Sequence, residues 1–76
     1  MSKQIIINPN DALFARLMRK LAQAIRTGDD ELTTEVKAEF AEYDTTLFYN
    51  ADSDQIRIVV KDCPFVDFPV SQFIAD

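Results

Sequence analysis

Three isoleucines in succession, Ile5 to Ile7, open the apolar pattern of the chain. A continuous run of this kind reads as a short buried strand over residues 3–8. The spacing then becomes helical. Leu13, Phe14, Ala15, Leu17, Met18, Leu21, Ala22, Ala24 and Ile25 fall on one continuous arc at about 100° per residue. Arg16, Arg19, Lys20, Gln23, Arg26 and Thr27 fill the rest of the circle. Asn8 suits an N-cap, Pro9 the first helical position, and Asp11 stands three residues after the cap. Gly28, the single glycine, stands where a left-handed residue ends a helix. These signals predict a helix over residues 9–27, about 28 Å long. Its apolar arc is a little over half the circumference, whereas a helix lying on one sheet needs about a third. The helix is therefore expected to touch more than one layer, or to keep an apolar strip for a partner chain.

Residues 30–43 carry two patterns. Leu32, Val36, Phe40 and Tyr43 recur at helical spacing, with Asp29 or Asp30 as a cap and acids in the first turn, although Glu39 intrudes on the stripe. Val36, Ala38 and Phe40 also alternate with Glu35, Lys37 and Glu39, as in a strand over 33–42. Ala, Glu and Lys favour the helix; Thr33, Thr34 and Val36 favour the strand. The helix is taken as the reading. Thr45–Asn50 and Gln55–Lys61 are rich in β-branched and aromatic residues, and Asn50-Ala51-Asp52-Ser53-Asp54 supplies turn chemistry between them. They predict a β-hairpin over 45–61.

The tail from Asp62 onward is apolar but broken. Pro64 and Pro69 forbid a regular helix and limit sheet pairing, yet Phe65, Val66, Phe68, Val70, Phe73 and Ile74 lie there. Ser71 could cap a last helical turn. A tail this apolar must pack on its own domain or on a partner. The whole reads as one α+β domain over residues 1–76, with strands 3–8, 45–50 and 55–61 against the helices. If 33–42 is a strand, it becomes one helix on a four-stranded sheet.

Hydrophobic residues make up 47% and charged residues 28%, which places the chain among globular rather than disordered sequences. A chain of 76 residues has a small core. The absence of histidine removes the commonest acid–base group and metal ligand, and a lone cysteine removes an internal disulfide and a thiolate cluster. MSKQIIIN is far short of the apolar core of a signal peptide, no run approaches a membrane span, and no glycosylation acceptor occurs. With the lone cysteine, this points to the cytosol.

The net charge is −5, divided into +4 over residues 1–28 and −9 over 29–76. Such asymmetry bears on association, within a chain or between copies. Arg16, Arg19, Lys20 and Arg26 form a basic helix side, but no aromatic residue interleaves and the chain is acidic overall, against nucleic-acid binding. Asn50, Asp52 and Asp54 alternate like calcium ligands, but Gln55 and Lys61 stand where such a loop needs glycine and a bidentate glutamate. They read as a turn. Cys63 lacks a basic neighbour in sequence and reads as a buried or semi-buried small hydrophobe.

These features lead to a non-enzymatic protein–protein interaction module, homodimeric, with no cofactor, metal, nucleic acid, membrane or small-molecule substrate. Phe65, Phe68 and Phe73 are the expected anchors, since buried aromatics dominate interface energetics. The alternative is an acidic inhibitor or decoy of a basic, nucleic-acid-binding protein, with Glu31, Glu35, Glu39 and Glu42 as its face.

Overall fold

A computed structural model describes residues 4–74. Asn8 begins a turn rather than a helix. Its carbonyl accepts the Asp11 N–H at 2.9 Å and its Oδ1 accepts the Asn10 N–H at 2.9 Å, with Pro9 inside the turn. The side chain that was expected to cap is thereby used. Asp11 caps instead, accepting the Phe14 N–H at 3.1 Å, and helix α1 runs Ala12–Thr27. At the other end Gly28 has φ 68° and ψ 28°. The Gly28 N–H donates to the Ile25 carbonyl at 3.4 Å and the Asp29 N–H to the Ala24 carbonyl at 2.9 Å, the paired bonds of a Schellman closure.

Helix α2, Asp30–Ala41, follows at once and settles the ambiguous segment as helix. Asp29 caps it, accepting the Leu32 N–H at 3.1 Å, and Asp30 and Glu31 occupy the first turn, where the helix dipole favours acids. Thr33 and Thr34, the strand-favouring residues, donate their hydroxyls to the carbonyls of Asp29 and Asp30 four residues back. Val36 and Phe40 are fully buried.

Three strands follow: β1 Thr45–Asn50, β2 Gln55–Val60 and β3 Val66–Pro69, in the antiparallel order β1-β2-β3. The hairpin lies where the sequence predicts it, with Thr45 opposite Val60 and Asn50 opposite Gln55. The third strand comes from the tail, not from residues 3–8. Val66–Pro69 takes the second edge of β2, with Ile58 opposite Val66 and Gln55 opposite Pro69. Pro69 is tolerated because it ends an edge strand. The chain then closes in a 3-10 turn, Val70–Phe73, which has no side-chain cap; Ser71 lies inside it. Residues 4–8 form no ladder; Ile5 and Ile7 pack on the core while Ile6 is 64% exposed. Lys3 lies outside the described residues.

The helices cover one face of the sheet. Phe14 sits at the centre, its ring 6.3 Å from Phe40, 5.5 Å from Phe68 and 6.2 Å from Phe73, mostly edge-to-face. Leu17, Met18, Leu21, Val36, Leu47, Ile56, Ile58 and Val70 complete the core. The wide arc of α1 is consumed inside the domain, because α1 packs both on α2 and on the closing 3-10 turn. Among the described residues, no helix is long and apolar enough to cross a membrane.

Candidate interaction surface

Side chains alternate across a sheet, so β1 and β2 send Leu47, Ile56 and Ile58 to the core and Phe48 and Arg57 to the opposite side. The register aligns Phe48, Arg57 and Asp67 in one row across the three strands. Among the described residues, no helix lies over this outer face. Phe48 is 55% exposed and Phe65 is 53% exposed. The Arg57 guanidinium lies 3.9 Å from the centre of the Phe65 ring, while its Nε and Nη2 donate to the Asp67 carboxylate at 3.0 and 3.3 Å. That carboxylate raises the Arg57 pKa, so the side chain is a fixed cation. A shallow depression of about 510 Å³ runs over this face, with Phe48, Arg57, Val59 and Phe65 among its walls.

A second, narrower cleft of about 290 Å³ lies beside β1. Leu21, Ala24 and Ile25 of α1 and Leu47 and Ile56 of the sheet floor it; Asp30 and Lys37 of α2 stand on its rim. Phe48 borders both depressions. Tyr49 borders them too, but its hydroxyl is engaged: it donates to Asp54 at 2.9 Å. Arg26 donates to the same carboxylate at 2.8 and 2.6 Å, tying the end of α1 to the hairpin turn. The hydrogen bond from Arg26, then that from Tyr49, lowers the Asp54 pKa; the same bond to Asp54 raises that of Tyr49. Arg26 therefore reaches the hairpin turn.

The seven expected contact residues fall in different places. Phe73 is buried and Phe68 half-buried, their rings 5.8 Å apart in the core; Phe65 alone of the three lies on the open face. Glu31, Glu35 and Glu42 are exposed and Glu39 is half-buried. At 100° per residue these four span an arc of about 80° on α2, so the structure does gather them on one helix side. That side is remote in sequence and element from Phe65, and the two groups do not make one surface. Asn50 works as a turn residue, its Oδ1 accepting the Asp52 and Ser53 N–H groups. Cys63 is exposed, not buried, because it sits in the turn after Asp62, whose φ of 64° swings the chain outward toward β3.

Phe48, Tyr49 and Arg57 were not singled out by sequence. The signal was present: Leu47-Phe48-Tyr49 is an apolar triplet, and alternation cannot direct all three into one core. Comparison with protein-family models, with curated proteins and with solved structures found no match to this chain.

Proposed function

We propose that this chain is a non-enzymatic protein–protein interaction module that works as a homodimer in the reducing cytosol. One observation carries the reading. Phe48 and Phe65 remain more than half exposed on the sheet face opposite the helices, around an arginine held by Asp67. Aromatic residues and arginine are the types enriched at binding surfaces and at their hot spots. The test is absolute mass by light scattering behind a sizing column, at low and high salt, against the chain mass of 8.7 kDa. A salt-resistant species of twice that mass supports the reading. A monomer at both salts overturns it, and a dimer that dissociates in salt transfers the association to charged surfaces.

The gathering of Glu31, Glu35, Glu39 and Glu42 on one side of α2 supports a second reading, an acidic decoy for a basic, nucleic-acid-binding protein. It predicts capture of such a protein with an affinity that falls steeply with salt. Capture that is insensitive to salt would count against it.

A further inference from the structure

The two edges of the sheet are unequal. The β3 edge is four residues long and carries Asp67 and Pro69, a charge and a residue that cannot donate to a neighbouring ladder. The β1 edge is six residues long, Thr-Thr-Leu-Phe-Tyr-Asn, with no charge, no proline and no glycine. Among the described residues, no hydrogen bond from outside the sheet reaches its main chain. Its N–H and C=O groups on that side form a template for one more strand. In a chain of net charge −5, a charge-free edge is where two like-charged copies can meet.

We infer that the homodimer forms by antiparallel pairing of β1 with β1 of a second copy, about a twofold axis at Phe48, giving one continuous six-stranded sheet. Side-chain alternation narrows the register. For both copies to keep their helices on the same face, the axis must pass through a residue and not between two. Leu47 on the axis adds nothing, because it is already 5% exposed. Phe48 on the axis sets the two most exposed sheet aromatics directly opposite each other. The outer row then reads Asp67, Arg57, Phe48 and, after the axis, the same three residues reversed. On the inner face, Leu47 lies opposite Tyr49 of the partner subunit, beside the cleft floored by Leu21, Ala24 and Ile25. Asp30 and Lys37 rim that cleft, about 10 Å apart along α2. A twofold axis reverses α2, carrying Lys37 toward Asp30 of the partner subunit, so the rims are complementary in charge. An isologous patch of this kind needs no partner other than the chain itself.

The inference rests on the homodimer reading, and the experiment separates the two. Light scattering is run on the wild-type protein and on Phe48→Lys, with circular dichroism to confirm that the variant is folded. Two like charges meeting across the axis are expected to raise the dimer dissociation constant by at least about 30-fold. In a Cys63→Ser background, Phe48→Cys and Asn50→Cys are then oxidised. Opposed residues have Cβ atoms about 5 Å apart, near enough to bridge, whereas position 50 meets its own copy about 13 Å away along the strand. Fast covalent dimer with Phe48→Cys and little with Asn50→Cys is the result expected. A monomeric wild type overturns the homodimer reading and this inference with it. A dimeric wild type whose Phe48→Lys variant stays dimeric, or whose Phe48→Cys variant bridges no faster than Asn50→Cys, overturns the β1 seam alone.

Discussion

Truncating Phe73 to alanine separates a core residue from a contact anchor. Phe73 is 7% exposed and its ring lies edge-on to those of Phe14 and Phe68, at 6.2 and 5.8 Å. A buried Phe→Ala change costs about 3–5 kcal/mol in lost transfer energy and cavity formation. Phe73 ends a short 3-10 turn that can relax into part of the void, so the lower end, about 3 kcal/mol, applies. Set against about 4–11 kcal/mol for a domain of this size, that loss takes a quarter or more of the total stability. Phe65→Ala, by contrast, removes a ring that is 53% exposed and one contact with Arg57, worth about 1 kcal/mol or less. The assay is urea unfolding followed by far-ultraviolet circular dichroism, since the chain has no tryptophan. With a slope near 1 kcal/mol per molar urea, Phe73→Ala lowers the midpoint by roughly 2–3 M, and Phe65→Ala by under about 1 M. Similar losses from the two variants, or a larger one from Phe65→Ala, would refute the assignment of Phe73 to the core.

Asp54→Asn keeps a residue type at ease at positive φ but removes the charge that Arg26 and Tyr49 grip. Because the folded pKa of Asp54 is lowered, its stabilisation is present above the ordinary carboxylate pKa, about 3.9, and is lost as pH falls through the depressed folded value. Wild type and Asp54→Asn should therefore differ in urea midpoint at neutral pH and converge in strong acid. The folded pKa of Tyr49 is raised, so its share is intact below about pH 10 and disappears as pH rises through the folded value; spectrophotometric titration of the phenols checks the direction. Asp11→Ala should cost about 1 kcal/mol as a lost helix cap, and Asn8→Ala clearly less, with thermal unfolding as the measure; the reverse order would restore Asn8 as the cap. Asp62→Gly should raise stability by about 0.5–1 kcal/mol, or several degrees in Tm, by removing a side chain from a left-handed position.

What could be read from sequence was local. The Schellman end at Gly28 and the hairpin across Asn50–Asp54 depend on neighbours a few residues apart, and both lie where the sequence puts them. The start of α1 shifted from Pro9 to Ala12 because Asn8 had two uses and the turn took it. The strand expected at residues 3–8 lost its place to Val66–Pro69, a competition over β2 that no short window of sequence contains. The candidate surface follows the same division. The tail phenylalanines look alike in sequence, but only the chain path turns Phe68 and Phe73 inward and leaves Phe65 out. Arg57 gained its importance from a register that set it between Phe48 and Asp67.

The central position of Phe14 governs the order in which the molecule can assemble. Its partner Phe40 arrives early, inside an αα-hairpin of short sequence separation, and β1 with β2 closes locally as well. Its other two partners, Phe68 and Phe73, follow more than roughly fifty residues later. During synthesis from the N-terminus, the helices and the first hairpin can therefore form while one side of Phe14 still faces water. The last step, tail on helix, must bear the largest loop-closure entropy and buries the rest of the Phe14 ring at once. A ribosome-stalled chain ending before Phe68 should thus be collapsed but protease-sensitive, and chaperone contact should cease only when Phe73 has emerged.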